Sequence, residues 1–258
     1  MRLPAAKKEL GQHFLVDQNI LGVIDRLAEL GPRDVALEVG PGLGVLTAFL
    51  AERVAHVHAV ELDRSLEGPL VERFAGHENV ELHFGDALRL DLASLDPRPN
   101  KLVSNLPYNV ATPLVVESLD GLPALELWCV MVQREVADRF FAEPSTKPYG
   151  AVSVLVQLAA ERTGFHPVSR AVFRPRPNVD SALVAFRRHA QGGDARVKQV
   201  VTAAFAHRRK RLANSLELAG LVSRDRAVAA LETIGRDPRA RAEELAPPEF
   251  VALAEALL

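Results

Sequence analysis

The stretch Asn105-Leu106-Pro107-Tyr108 carries the residue types best suited to chemistry. It follows the apolar run Leu102-Val103-Ser104. Pro107 lacks an N–H and pushes Leu106 toward extended geometry, so a regular ladder should stop there. The expected product is a short, stiff loop at a strand end. It offers one amide side chain, carbonyls without neighbouring donors, and one aromatic ring. Such a loop suits a flat base held by its exocyclic amine, with oxygens for the amine hydrogens and a ring for stacking. A polar strand-to-helix turn with a half-buried tyrosine would use the same residues.

Three earlier segments point to the same end of a sheet. Val35–Val39 contains Glu38 and runs into Gly40-Pro41-Gly42-Leu43-Gly44, then a helix from Val45 to Ala51. Strand, glycine turn and helix bring backbone close to a ligand. A nicotinamide fingerprint wants glycine where Val45 stands, and an acid inside the strand is unusual for a phosphate site. A dipolar aminoacyl ligand fits better. The strand His56–Val60 ends in Glu61-Leu62-Asp63, with Glu61 about twenty residues after the first glycine, where an acid takes ribose hydroxyls. The strand Val80–Phe84 ends in Gly85-Asp86-Ala87, where Asp86 accepts from an adenine amine or forms an Asx turn. Lys101–Ser104 is the fourth strand. Four consecutive strands thus deliver a polar residue to the carboxyl end, where open α/β sheets bind ligands. Gly11-Gln12-His13-Phe14-Leu15 precedes the first strand and either lies across a cofactor or caps the helix Asn19–Leu30. His56 and His58 share a strand face with no Cys or acid at ligand spacing, so they read as structural and no metal is expected.

The remaining elements position these segments. Thr112–Leu119 reads as a helix, Leu125–Val132 as a buried strand and Gln133–Phe141 as an amphipathic helix. Ala151–Ala160 reads as a long strand and Ala182–Phe186 as the last one, joined by the basic, proline-rich loop Val172–Ser181. Two late strands joined by a loop imply an antiparallel hairpin at one edge of a parallel sheet. Phe173 in that loop is either exposed for stacking or an anchor under the prolines. After a linker, Gln191-Gly192-Gly193-Asp194, the pattern is helical. Ala195–Leu218 reads as one amphipathic helix carrying His207-Arg208-Arg209-Lys210-Arg211. This single-signed run adds to Arg170, Arg174, Arg176, Arg187 and Arg188, a surface for phosphates. Ser223 caps a further helix closed by Gly235, and Pro247-Pro248 opens the last. The expected division is an α/β domain, 1–188, and an all-helical domain, 189–258.

Composition sets outer limits. With 258 residues and 48% apolar content, the chain can bury a large core, and a net charge of −2 confines any nucleic-acid surface to local clusters. One cysteine, Cys129, excludes internal disulfides and fits a reducing cytosol. Met1–Lys8 has no apolar leader, and no stretch reaches the roughly 18 apolar residues of a membrane span. A cytoplasmic protein without membrane contact is expected, its oligomeric state open with a monomer favoured.

Taken together and in this order, the motifs resemble those of the rRNA adenine N6,N6-dimethyltransferase family, the dimethyladenosine transferases of small-subunit rRNA. The resemblance runs nearly end to end. It continues from the segments above through Asn109, Phe205–Leu216 and the tail Arg241-Ala242-Glu243-Glu244-Leu245 with Phe250. It implies a Rossmann-like class I methyltransferase sheet, S-adenosylmethionine as donor, S-adenosylhomocysteine as product, no metal, and rRNA of an assembling small subunit as partner, with no DNA. Gln12, His13 and Leu15 would close over the donor, with Glu38, Gly40 and Gly42 at its methionine part. Glu61 and Leu62 would take the ribose, Asp86 and Ala87 the adenine. Asn105 would stand between donor and target. Asn105, Leu106, Pro107, Tyr108 and Phe173 would hold the flipped base, while Arg174, Arg176, Arg208, Arg209, Lys210 and Arg211 would contact RNA. His13 stands where many members have Asn, and Arg176 and Asn178 replace a Pro and a basic residue. The rivals are the macrolide-resistance methyltransferases of large-subunit rRNA, a DNA adenine methyltransferase and a non-catalytic assembly factor. Asn109 and Asp180-Ser181 favour the small-subunit branch.

Overall fold

A computed structural model describes residues 12–189 and 194–257. Gly11 of the first motif and residues 191–193 of the expected linker lie outside the described residues. The chain forms two compact units, one of Met1–Ala137 with Arg162–Arg188, the other of Asp138–Glu161 with His189–Leu258. The expected linear division at residue 188 is thereby corrected, because an internal segment belongs to the helical unit.

The first unit sets out β1 (Phe14–Leu15), α1 (Asn19–Ala28), β2 (Val35–Val39), α2 (Val45–Ala51), β3 (His56–Glu61), α3 (Glu67–Phe74), β4 (Val80–Phe84), β5 (Lys101–Asn105), α4 (Ala111–Gly121) and β6 (Leu127–Gln133). The chain passes through α5 (Arg134–Phe140) and α6 (Ala151–Ala159) before β7 (Ala160–Val168), β8 (Phe173–Arg174) and β9 (Ser181–Arg188). Seven strands make one sheet in the order β4-β3-β2-β5-β6-β9-β7, and β1 pairs with β8. Neighbours from β4 to β6 are parallel, and β9 runs antiparallel to β6. This is the doubly wound sheet with antiparallel strand pairing toward one edge.

Burial explains the centre of the sheet. β6 is apolar from Leu127 to Val132 and fully covered, as a strand buried on both faces must be. Trp128 stacks on Phe186 of β9 at 5.2 Å. Arg188 donates to the carbonyls of Leu119, Leu122 and Leu125 at 2.6–3.0 Å, fastening the end of α4. At the same end of the strands, where Leu127 of β6 pairs with both Lys101 and Arg187, Lys101 is buried. Its ammonium pairs with Asp34 at 2.8 Å and donates to the carbonyls of Ala28 and Glu29, which fixes the end of α1.

Two expected elements are corrected. Ala151–Ala160 is a helix followed by the start of β7, not a long strand. Its Val, Leu and Ala pattern satisfies both periods, and the helix wins because Ser153 receives the Gly150 N–H at 3.1 Å and caps the first turn. The edge strand lies one segment later, at Ala160–Val168. In the second unit, Ala195–Leu218 is two helices, α7 (Ala195–Ala206) and α8 (Leu212–Leu218). Ser215 folds back on the end of α7, accepting from His207 N at 3.2 Å and donating to Ala203 O at 2.8 Å. The basic run therefore sits in the break rather than on a helix face. α9 (Arg224–Thr233) and α10 (Pro247–Leu257) complete this unit around Leu216, Leu231, Phe250 and Tyr149, whose hydroxyl donates to Leu245 O at 2.7 Å. Ser223 caps α9 as its position suggests. Among the described residues no helix is long and apolar enough to cross a membrane.

Candidate active site

The site begins where the sheet splits. β2 has β3 on one side and β5 on the other, the switch point at which such sheets open a crevice. Backbone pairing of β2 with β5 covers Ala36–Lys101 and Leu37–Leu102. Nearer the carboxyl end, Ser104 Oγ takes over, donating to Val39 O at 2.6 Å and accepting from Val39 N at 3.3 Å. The next residue is Asn105.

Asn105 is held in one orientation. Its Nδ2 donates to the His13 carbonyl at 3.1 Å, and because a carbonyl only accepts, Oδ1 is the oxygen left toward the cavity side of the amide. His13 is fixed in turn by β1–β8 pairing and by its Nδ1, which donates to Pro175 O at 2.7 Å. Pro107 O accepts from both Val110 N and Ala111 N at 3.1 Å, so it starts α4 and is not available for a base. Leu106 is itself buried, yet its carbonyl accepts no hydrogen bond among the described residues. Of the two carbonyls the sequence left open, that of Leu106 is the one without a donor among the described residues, although Leu106, unlike Asn105, Pro107 and Tyr108, is not among the residues lining the cavity described next. Tyr108 is half-buried, its hydroxyl sharing a hydrogen bond with Ser181 Oγ at 2.8 Å and its ring 5.4 Å from that of His13. Burial pushes the Tyr108 hydroxyl above the usual tyrosine range.

An open cavity adjoins this corner, with about 1030 Å³ of space counted out to its mouth. Gln12, His13, Leu15, Glu38, Gly40, Gly42, Glu61, Leu62, Asp86, Ala87, Asn105, Pro107 and Tyr108 all line it. Gly42 has a φ of +58°, and a Cβ there would lie 2.9 Å from the Phe14 ring, so only glycine allows this close passage. Glu38 is 2% exposed, and its Oε2 has no hydrogen-bond partner. Burial raises its carboxyl to about 8; the nearby Thr47 hydroxyl opposes the rise and Glu61 adds to it. A buried acid left unsatisfied beside a backbone cradle fits a ligand with an ammonium group. Glu61 bridges two turns, accepting from Gly42 N at 3.1 Å and Asp63 N at 2.8 Å. Burial raises it as well, against those bonds. Asp86 accepts from Leu88 N at 3.0 Å, an Asx turn that leaves the side chain at the cavity wall.

Several expectations are revised. Phe173 is fully buried with Leu15 and Val168, so it is an anchor and not a stacking ring: antiparallel pairing sets it opposite Leu15. Arg188 is used as described above, which takes it out of the expected phosphate surface, while Arg187, paired with Glu29 at 2.7 Å, and Arg170, donating to Asn178 O at 3.0 Å, remain partly exposed. Arg174 and Arg176 are exposed in the first unit. In the second, Arg208 is tied to Glu243 at 3.2 Å and to Lys147 O at 2.9 Å, while Arg209, Lys210 and Arg211 are exposed. Sequence reasoning missed Ser104, Phe14 and Asp63. Asp63 is buried and accepts from Gln12 at 2.9 Å; its place two residues after Glu61 was the available signal.

A switch-point cavity with an acid at each of three strand ends, beside an oriented Asn-Leu-Pro-Tyr corner, defines a Rossmann-like S-adenosylmethionine-dependent methyltransferase. Comparison narrows this class. Residues 4–257 match the ribosomal RNA adenine dimethylase family, and the chain belongs to it. A "Ribosomal RNA small subunit methyltransferase A" of Rubrobacter xylanophilus is 50% identical over 254 residues, covering 98% of this chain and 95% of the relative. The crystal structure of the 23S rRNA methyltransferase ErmE superposes with a TM-score of 0.68 at 30% identity, over 95% of this chain and 99% of that one. A dimethyladenosine transferase from Plasmodium falciparum has the same fold, with a TM-score of 0.77 at 22% identity over 93% and 96%.

Proposed function

We propose that the protein transfers methyl groups from S-adenosylmethionine to N6 of two adjacent adenosines near the 3′ end of small-subunit rRNA, dimethylating each. It would act in the cytoplasm on an assembling subunit. The observation that carries this reading is the Asn105 amide, whose nitrogen is committed to His13 O and whose oxygen is left to accept. Gln12, His13, Leu15, Glu38, Gly40, Gly42, Glu61, Leu62, Asp86 and Ala87 would hold the donor, which when bound supplies an electrophilic methyl group on a sulfonium.

Adenine N6 is a weak nucleophile because its lone pair is delocalised into the ring. Asn105 Oδ1 and the Leu106 carbonyl would accept its two hydrogens, fixing the amine and leaving its lone pair directed away from both oxygens. Tyr108, anchored through Ser181, would stack on the base. This chemistry asks for placement, not a strong base, since each transfer releases one proton only as the amine becomes cationic. After the first transfer one hydrogen remains, and the corner must accept the monomethyl amine with one oxygen unused. Arg174, Arg176 and the exposed Arg209, Lys210 and Arg211 would contact RNA phosphates, with Arg208 bracing the last three.

The similarity to ErmE gives the large-subunit reading a specific basis. The test is methyl transfer from labelled donor to small subunits lacking the modification, in parallel with large-subunit rRNA. Label in two adjacent adenosines of the small subunit is expected; label confined to large-subunit rRNA would replace this reading.

A further inference from the structure

At the opposite end of the strands from this cavity lies a second constellation. His56 and His58 stand at the start of β3, and parallel pairing sets His58 beside Glu81 of β4. Strand alternation puts His56, His58, Glu81 and His83 on one face of this two-strand edge. Among the described residues, His56, His58 and Glu81 are the group whose ligand atoms converge, all within 4.8 Å of one another. Sequence spacing hid it, because the acid comes from the neighbouring strand.

The geometry points to a binding site for a zinc-class divalent cation, held by His56 Nε2, His58 Nδ1 and the Glu81 carboxylate. His56 Nε2 lies 3.7 Å and His58 Nδ1 3.5 Å from Glu81 Oε2. A tetrahedral site with metal–ligand bonds near 2.05 Å needs ligand separations of about 3.3 Å, so the two His–Glu pairs are nearly in place and the ligand set, spread over no more than 4.8 Å, would close the remainder by side-chain rotation. The tautomer is already set. His58 Nε2 faces the Pro97 carbonyl at 2.8 Å, so it carries the hydrogen and Nδ1 presents its lone pair, the usual arrangement for a histidine ligand braced from behind. His56 Nε2 is buried and has no hydrogen-bond partner, a cost that a metal bond would remove. His83 Nε2 approaches His58 Nδ1 at 3.1 Å and donates the hydrogen bond that the cation would replace. Glu81 is half-exposed and opens the route from solvent. Two imidazoles and a carboxylate suit zinc, cobalt and nickel and not magnesium or calcium. The ion would tie edge strand β4 to β3, and through His58 to the turn at Pro97. It takes no part in methyl transfer.

The test is titration of the purified full chain with Co²⁺, followed by its visible absorption. One equivalent should give the intense bands of a tetrahedral ion, displaced by Zn²⁺, and Zn²⁺ should raise Tm in a concentration-dependent way. Glu81→Gln and His56→Gln should each weaken uptake at least tenfold while donor binding stays unchanged. A pale octahedral spectrum in the wild type, or uptake by either variant equal to the wild type, would overturn the assignment.

Discussion

With Phe173 sealed in the core, the proposed stacking on the target adenine would fall to Tyr108 alone. Tyr108→Phe keeps the ring and loses only the Ser181 contact, so methyl transfer should stay within a few fold. Tyr108→Ala should weaken RNA binding by about 1–3 kcal/mol, measured as KM for small subunits. Glu38 makes a separate prediction from its raised carboxyl, about 8 when folded against the ordinary 4.5. A raised acid binds its proton more tightly when folded, so its contribution is fully present below the unfolded value and is lost as pH climbs through the folded one. Glu38→Gln cannot ionise. Its stability relative to the donor-free wild type should therefore rise between about pH 4.5 and 8, by on the order of 4 kcal/mol, and level off above. Urea unfolding across that range measures it; a difference independent of pH would mean that Glu38 is ionised in the fold.

Element positions follow from burial, and burial is what a linear pattern conveys unevenly. The parallel strands were legible because β2, β5 and β6 are short apolar runs and β3 and β4 alternate apolar with polar residues, and the Gly40, Asp63, Gly85 and Pro107 that follow four of them announce the cavity. The segment Ala151–Ala160 was not, since a run apolar on all sides fits either period and a serine cap decided it. Phe173 was ambiguous for a similar reason: only pairing with Leu15 shows which way it faces. The Glu81 partner of His58 required strand register, which no spacing reveals. Lys101 likewise looks like an ordinary strand-edge lysine in sequence, yet it is buried on Asp34. Burial pulls the Asp34 carboxyl upward, but hydrogen bonds from Lys101, Asn100 and Gly31 outweigh this and hold it below the usual carboxylate range. Lys101→Met strands that acid and should cost about 3 kcal/mol in urea unfolding, with Asp34→Asn added on top restoring part of it. An unchanged midpoint would show the pair to be dispensable.

For the whole molecule, near-zero net charge means that RNA must be gripped by local clusters. Replacing Arg209, Lys210 and Arg211 with Gln should lower the slope of log K against log salt by about 2, whereas a slope equal to the wild type would remove this run from the interface. Donor pocket, base corner and RNA grip meet in one claim: Asn105, turned by the His13 carbonyl, presents an oxygen to the adenine amine. The most direct measurement is single-turnover methyl transfer to unmodified small subunits by Asn105→Ala, with donor affinity determined on the same preparation. The account predicts a rate lower by about 10²–10³-fold with a much smaller change in donor affinity. Transfer at the wild-type rate, or a loss explained entirely by weaker donor binding, would contradict it.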